Sequence, residues 1–103
     1  MKRGEVWWAN LPAPAGHRPV LLLSRNKAYE VRNSATVAEI TTVIRKIPVE
    51  VELNKDDGMP KKCVVNLDTI MTIPKNLLIE HLTTLSTEKM IMVDEAVKFA
   101  LNL

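Results

Sequence analysis

A chain of 103 residues has room for one hydrophobic core, so residues 1–103 read as a single domain. With 47% apolar and 25% charged residues it has the balance of a globular protein, and no apolar run approaches the roughly 18 residues of a membrane span. A net charge of +2 and a pI near 8.8 permit an acidic partner, nucleic acid or protein, without requiring one.

The opening, MKRGEVWW, lacks the apolar core of a secretion signal. The lone cysteine, Cys63, cannot form an internal disulfide, and its Val64-Val65 neighbours mark it as a small core residue. Together these predict a cytoplasmic protein with no membrane attachment. EVWWANL (5–11) is a predicted first strand, stopped by Pro12 and Pro14. PVLLLS (19–24) is apolar without interruption, as in a strand covered on both faces. Arg18 stands at its mouth beside His17, a cation at the entrance to a core strand. TVAEITT (36–42) reads as a third strand. PVEVEL (48–53) alternates, with Val49, Val51 and Leu53 on one face and Glu50 and Glu52 on the other. NKDDGMP is a turn in which Asp57-Gly58 supplies the bend. CVVNL and TIMTI are read as two further strands, the second ended by Pro74. LLIEHLTTL (77–85) reads as a short turn or helix running into a strand.

After Ser86, a good N-cap followed by Glu88 in the first turn, the period changes to helical. Met90, Val93, Val97, Ala100 and Leu101 share a stripe opposite Glu88, Glu95, Lys98 and Asn102. Met92, Ala96, Phe99 and Leu103 widen the apolar arc beyond what one barrel face should cover. The pattern is that of a small, mainly β barrel with one terminal helix.

The residues exclude several chemistries. There is no glycine-rich phosphate loop, no Cys/His spacing suited to zinc, and Asp56-Asp57 reads as a solvated turn. His17 and His81 are far apart in sequence. Any enzyme here is expected to work with arginine, histidine, hydroxyls and isolated carboxylates, without metal or cofactor.

Five segments, in order and spacing, carry a resemblance over nearly the whole chain: KRGEVWWANL, GHRPVLLLSRN, TVAEITTVIRKIPVEVEL, DDGMPKKCVVNLDTIMTIPKNLL and the terminal VDEAVKFALNL. The sequence resembles the MazF/PemK toxin endoribonucleases of bacterial type II toxin–antitoxin modules. The resemblance implies an SH3-like β-barrel with a C-terminal helix. It implies cleavage of single-stranded RNA at short sequences by a homodimer, and a cognate antitoxin that blocks it. The family's catalytic arginine, in the RPV motif, falls on Arg18, and its catalytic threonine, ending the IT pair of the third strand, falls on Thr41.

The remaining polar residues supply a candidate RNA-binding set. His17 adjoins the arginine. Glu39 lies two residues before Thr41 and so shares its side of the strand. Arg25 and Arg45 are candidate phosphate contacts, and Asn66, Asp68 and Thr69 are candidate readers of base edges. Two features depart from the family pattern. The loop before RPV, which in many relatives is longer and contains GSEQ, is here PAPAGHRP, and Met71 stands where many relatives carry a basic residue. The competing readings are a non-enzymatic toxin on the same barrel that poisons DNA gyrase, and an inactive RNA-binding barrel. The presence of both Arg18 and Thr41 favours RNA cleavage over the gyrase poison, whose relatives lack the pair.

Overall fold

The computed structural model describes residues 1–103. Six strands, β1 (Glu5–Asn10), β2 (His17–Leu22), β3 (Ser34–Thr41), β4 (Glu50–Leu53), β5 (Cys63–Pro74) and β6 (Leu78–Thr84), form one antiparallel sheet in the order β4-β5-β3-β2-β1-β6. A one-turn helix α1 (Ala28–Val31) links β2 to β3, and α2 (Thr87–Leu101) ends the chain. The sheet curls into the small SH3-like barrel expected from the sequence. No helix is long and apolar enough to cross a membrane.

Curling follows from where the apolar side chains go. Val6, Leu21, Ala38, Ile40, Val51, Leu53 and Val65 meet Val93 and Ala96 of α2 in one cluster, so strands from both ends of the sheet face the same interior. Ala9, Val20, Leu22, Ala35, Val37 and Ile73 pack on the other face beneath Tyr29 and Leu78. A strand pair such as Val20-Leu21 therefore feeds two cores, which is why PVLLLS carries no polar alternation. The barrel closes where the turn after β4 reaches β6. Asn54 caps a 3-10 turn, Lys55–Asp57, and Thr83 Oγ1 donates to the Asp57 carbonyl at 3.0 Å.

Three expectations need correction. CVVNL and TIMTI are one twelve-residue strand, β5, bent by a bulge. Between the pairs Ala38↔Ile70 and Ile40↔Val65, β5 runs through extra residues while β3 advances two. Asn66 Oδ1 accepts from Asp68 N–H at 2.9 Å and Thr69 Oγ1 donates to the Asn66 carbonyl at 2.9 Å, so the polar stretch makes the bend locally. Helix α1 was not expected, because four residues carry no readable period. On α2, Ala96 is buried and Leu101 is exposed, the reverse of their assigned faces.

The cap on α2 is as read: Ser86 Oγ accepts from Lys89 N–H at 3.1 Å. Lys89 Nζ then donates to the Glu52 carbonyl at 2.6 Å, and Arg3 bonds Asp94 at 2.6 Å, tying the helix to β4 and to the N-terminus. Cys63 is buried, and burial, with the Asp57 charge adding to it, pushes its thiol above the usual range. An un-ionised, enclosed thiol is a poor nucleophile, consistent with the core role read from its neighbours.

Candidate RNA-cleavage site

The site grows out of the β2–β3 register. Val20 pairs with Glu39 and Leu21 with Ala38. The same register carried two residues farther sets Arg18 across from Thr41, at the end where the two strands stop pairing. Alternation puts Arg18 on the face of Val20, and Glu39 and Thr41 on the face of Val37. These are one sheet face, so the three side chains emerge side by side just beyond an apolar core.

Their hydrogen bonding leaves Arg18 available. Its Nε donates to the Ala15 carbonyl at 3.1 Å, which fixes the plane of the guanidinium. Nη1 stands 3.9 Å from Glu39 Oε1, an ion pair at the edge of contact range, and neither Nη group has a hydrogen-bond partner. Glu39 thus orients the arginine without covering it. Thr41 Oγ1 accepts from Val43 N–H at 3.2 Å, which leaves the hydroxyl proton free to donate.

Arg18 and Thr41 form a ridge between two open hollows. One, about 190 Å³, is lined by Arg18, Glu39, Thr41, Val43, Arg45, Asn66 and Thr69. The other, about 390 Å³, is lined by Trp8, His17, Arg18, Pro19, Ile40, Thr41, Thr42 and Lys61. Arg45 is held in place indirectly. The Glu50 carboxylate accepts from the backbone N–H groups of Arg45 and Lys46, both at 2.9 Å, and Glu50 pairs with the buried Asn66 across β4 and β5.

Seven of the nine residues singled out in the sequence therefore meet here: His17, Arg18, Glu39, Thr41, Arg45, Asn66 and Thr69. Two do not. Arg25 follows the far end of β2, roughly 20 Å from Arg18 at the ordinary strand rise. Asp68 is exposed and lines neither hollow, and its N–H donates to Asn66 Oδ1. His17 begins β2, with its ring 4.8 Å from that of Trp8 and tilted 32°. Lys61 was missed altogether. The signal was the Lys61-Lys62 pair after Pro60, but only the fold of the β4–β5 connection brings it to the ridge. No group of three or more His, Cys, Asp or Glu side chains is placed to hold a metal ion.

Residues 2–101 match the family described as PemK-like, MazF-like toxin of type II toxin-antitoxin system. The chain belongs to this toxin family. A probable endoribonuclease, MazF5 of Mycobacterium tuberculosis, is 37% identical over 101 residues, covering 97% of this chain and 92% of the relative. The endoribonuclease EndoA of Bacillus subtilis is 36% identical over 111 residues, covering 100% and 96%. Among solved structures, the Mycobacterium tuberculosis toxin MazF-mt6 superposes with a TM-score of 0.89 at 30% identity, covering 96% of this chain and 97% of that one. A mycobacterial endoribonuclease solved with its cognate antitoxin gives a TM-score of 0.88 at 27% identity, covering 100% of this chain and 96% of that one.

Proposed function

We propose that this chain, a toxin endoribonuclease by family, cuts single-stranded RNA in the cytoplasm without a metal ion, with Arg18 and Thr41 at the scissile phosphate. The observation that carries the reading is the ridge itself: a guanidinium with free Nη donors beside a free hydroxyl proton, at an exposed strand end between two hollows. RNA supplies its own nucleophile. The 2′-OH loses its proton, O2′ bonds to phosphorus, the P–O5′ bond breaks and O5′ takes up a proton. The products are a 2′,3′-cyclic phosphate and a 5′-OH. Charge develops on the non-bridging oxygens, and the planar fork of Arg18 matches them in pairs. Thr41 donates to one of the same oxygens. Arginine keeps its proton at any ordinary pH, so Arg18 acts by electrostatic stabilisation and not as a base. Glu39 holds Arg18, while Arg45, Asn66 and Thr69 contact RNA in the smaller hollow and His17 in the larger.

RNA incubated with the protein in EDTA and then sized tests this reading. Fragments should form at an undiminished rate. Loss of cleavage on chelation, restored by Mg²⁺, would contradict the mechanism. Intact RNA with and without metal would favour the gyrase poison or the inactive binder.

The working unit is proposed to be a homodimer, inhibited by a cognate antitoxin. The outward side of α2 exposes Ile91 (53%), Met92 (47%) and Phe99 (62%), interspersed with Glu88 and Glu95, and Leu103 (82%) follows the helix C-cap; a second copy of the chain would cover these apolar side chains. Two copies would join two shallow ridges into a longer RNA groove. An acidic antitoxin segment entering that groove would meet Arg18, Arg45 and Lys61. Sedimentation at micromolar concentration should give a dimer that Phe99→Asp converts to monomer. A monomeric unmodified protein would rule the dimer out, and a dimer indifferent to Phe99→Asp would move its interface off the helix.

A further inference from the structure

The larger hollow has a composition that the chemistry at the ridge does not use. Its charged residues are Arg18 and Lys61, with His17 beside them, and no carboxylate lines it. The smaller hollow, by contrast, contains Glu39. Lys61 is exposed and makes neither an ion pair nor a side-chain hydrogen bond, unlike Lys75 and Lys89, whose ammonium groups are bound to carbonyls. The same hollow deepens into an apolar slot of about 70 Å³ between Trp8, Pro19, Ile40, Met59 and Pro60, with Lys61 and Thr41 at its rim. Trp8 is half-buried on this face, propped by His17 on one side and by the β1–β2 pairing that sets it opposite Pro19. An aromatic wall, an apolar slot and an unpaired ammonium, all within reach of the scissile position, match the parts of one nucleotide.

We infer that Trp8 and Lys61 form a subsite for the nucleotide next to the cut on the His17 side, its base lying against Trp8 and its flanking phosphate on Lys61. The inference rests on the RNA-cleaving reading above and extends it. The strand crosses the ridge from the Arg45–Asn66 hollow, places its reactive phosphate between Arg18 and Thr41, and enters the Trp8–Lys61 hollow. Neither residue touches the reacting atoms. Lys61 raises affinity without reading sequence, because an ammonium is a point charge for phosphate. Trp8 accepts any base by its face, and the width of the slot beside it decides how far a purine or a pyrimidine can enter.

The test is binding of a short mixed-sequence single-stranded RNA, 2′-O-methylated throughout so that no 2′-OH can attack. In a Trp7→Phe background, Trp8 is the sole tryptophan, and its emission should be quenched as the RNA binds. Lys61→Gln should reduce the magnitude of the slope of log affinity against log salt by about 0.7, the value for one phosphate contact on a single strand. Trp8→Leu should weaken binding about tenfold, with Trp8→Phe restoring most of it, because the ring and not the indole N–H makes the stack. RNA bound with Trp8 emission unchanged, or with the salt slope unchanged by Lys61→Gln, overturns the subsite and leaves the ridge mechanism standing. Failure of the unmodified protein to bind or cut any RNA overturns both.

Discussion

Arg18→Ala should lower RNA cleavage by about 100-fold or more while the barrel melts at nearly its original temperature. The size follows from the role: one preorganised donor aimed at developing charge contributes about 3 kcal/mol to the barrier. The fold should be spared because Arg18 lies at the strand mouth, bonded only to the Ala15 carbonyl and loosely paired with Glu39. Arg18→Lys should recover little, since one ammonium cannot span two phosphate oxygens in the plane that Ala15 and Glu39 set for the guanidinium. Thr41→Val keeps the shape of the strand end and removes the hydroxyl, and should also cost cleavage far more than stability. Rates measured with a fluorogenic RNA beside thermal melts decide the matter. Near-normal cleavage by either Arg18→Ala or Thr41→Val removes that residue from the mechanism.

Gly58→Ala should be the most destabilising small substitution in the chain, by about 2–4 kcal/mol, combining a disfavoured backbone with a lost hydrogen bond. Gly58 has φ +90°, and a Cβ there would stand 2.2 Å from Thr83 Oγ1 and 2.8 Å from Thr83 Cβ. Rotating Thr83 removes the first clash and not the second, so the backbone must move. The contact is where the turn after β4 meets β6, and Thr83 is bonded there to the Asp57 carbonyl. Opening it loosens the closure of the barrel and the seat of α2, whose Lys89 lies 3.7 Å from Asp57. In a chain of this size the expected loss is a fall in melting temperature of more than about 8 °C. In a Thr83→Gly background, where the clash and the hydrogen bond to Asp57 are already gone, Gly58→Ala should cost only the positive φ. A Gly58→Ala protein that melts within a few tenths of a degree of the original would show that the closure yields freely.

Much of this architecture can be read from local pattern. The alternation of Val49-Glu50-Val51-Glu52-Leu53, the Asp57-Gly58 bend and the Ser86 cap each depend on neighbours in sequence, and each sits in the structure as read. The bulge in β5 does not, because Asn66-Leu67-Asp68-Thr69 has the composition of a turn. It stays within a strand because its side chains bond the strand's own backbone, β4 pairs as far as Asn66, and Leu67 N–H donates to the Val49 carbonyl. The site divides along the same line. Arg18 and Thr41 come from motifs of the family, and Glu39 follows from strand alternation. Arg25 and Lys61 are both surface cations, and nothing local separates them. The β2–β3 register leaves Arg25 at the wrong end, and the β4–β5 connection folds Lys61 over the mouth.

Analysis of the RNA ends by mass spectrometry tests the central claim most directly. RNA cut by the unmodified protein in EDTA should carry 2′,3′-cyclic phosphate on the upstream fragment and a 5′-OH on the downstream one, with neither product above background for Arg18→Ala. Fragments ending in 3′-OH and 5′-phosphate, or cyclic phosphate formed equally well without Arg18, would contradict it.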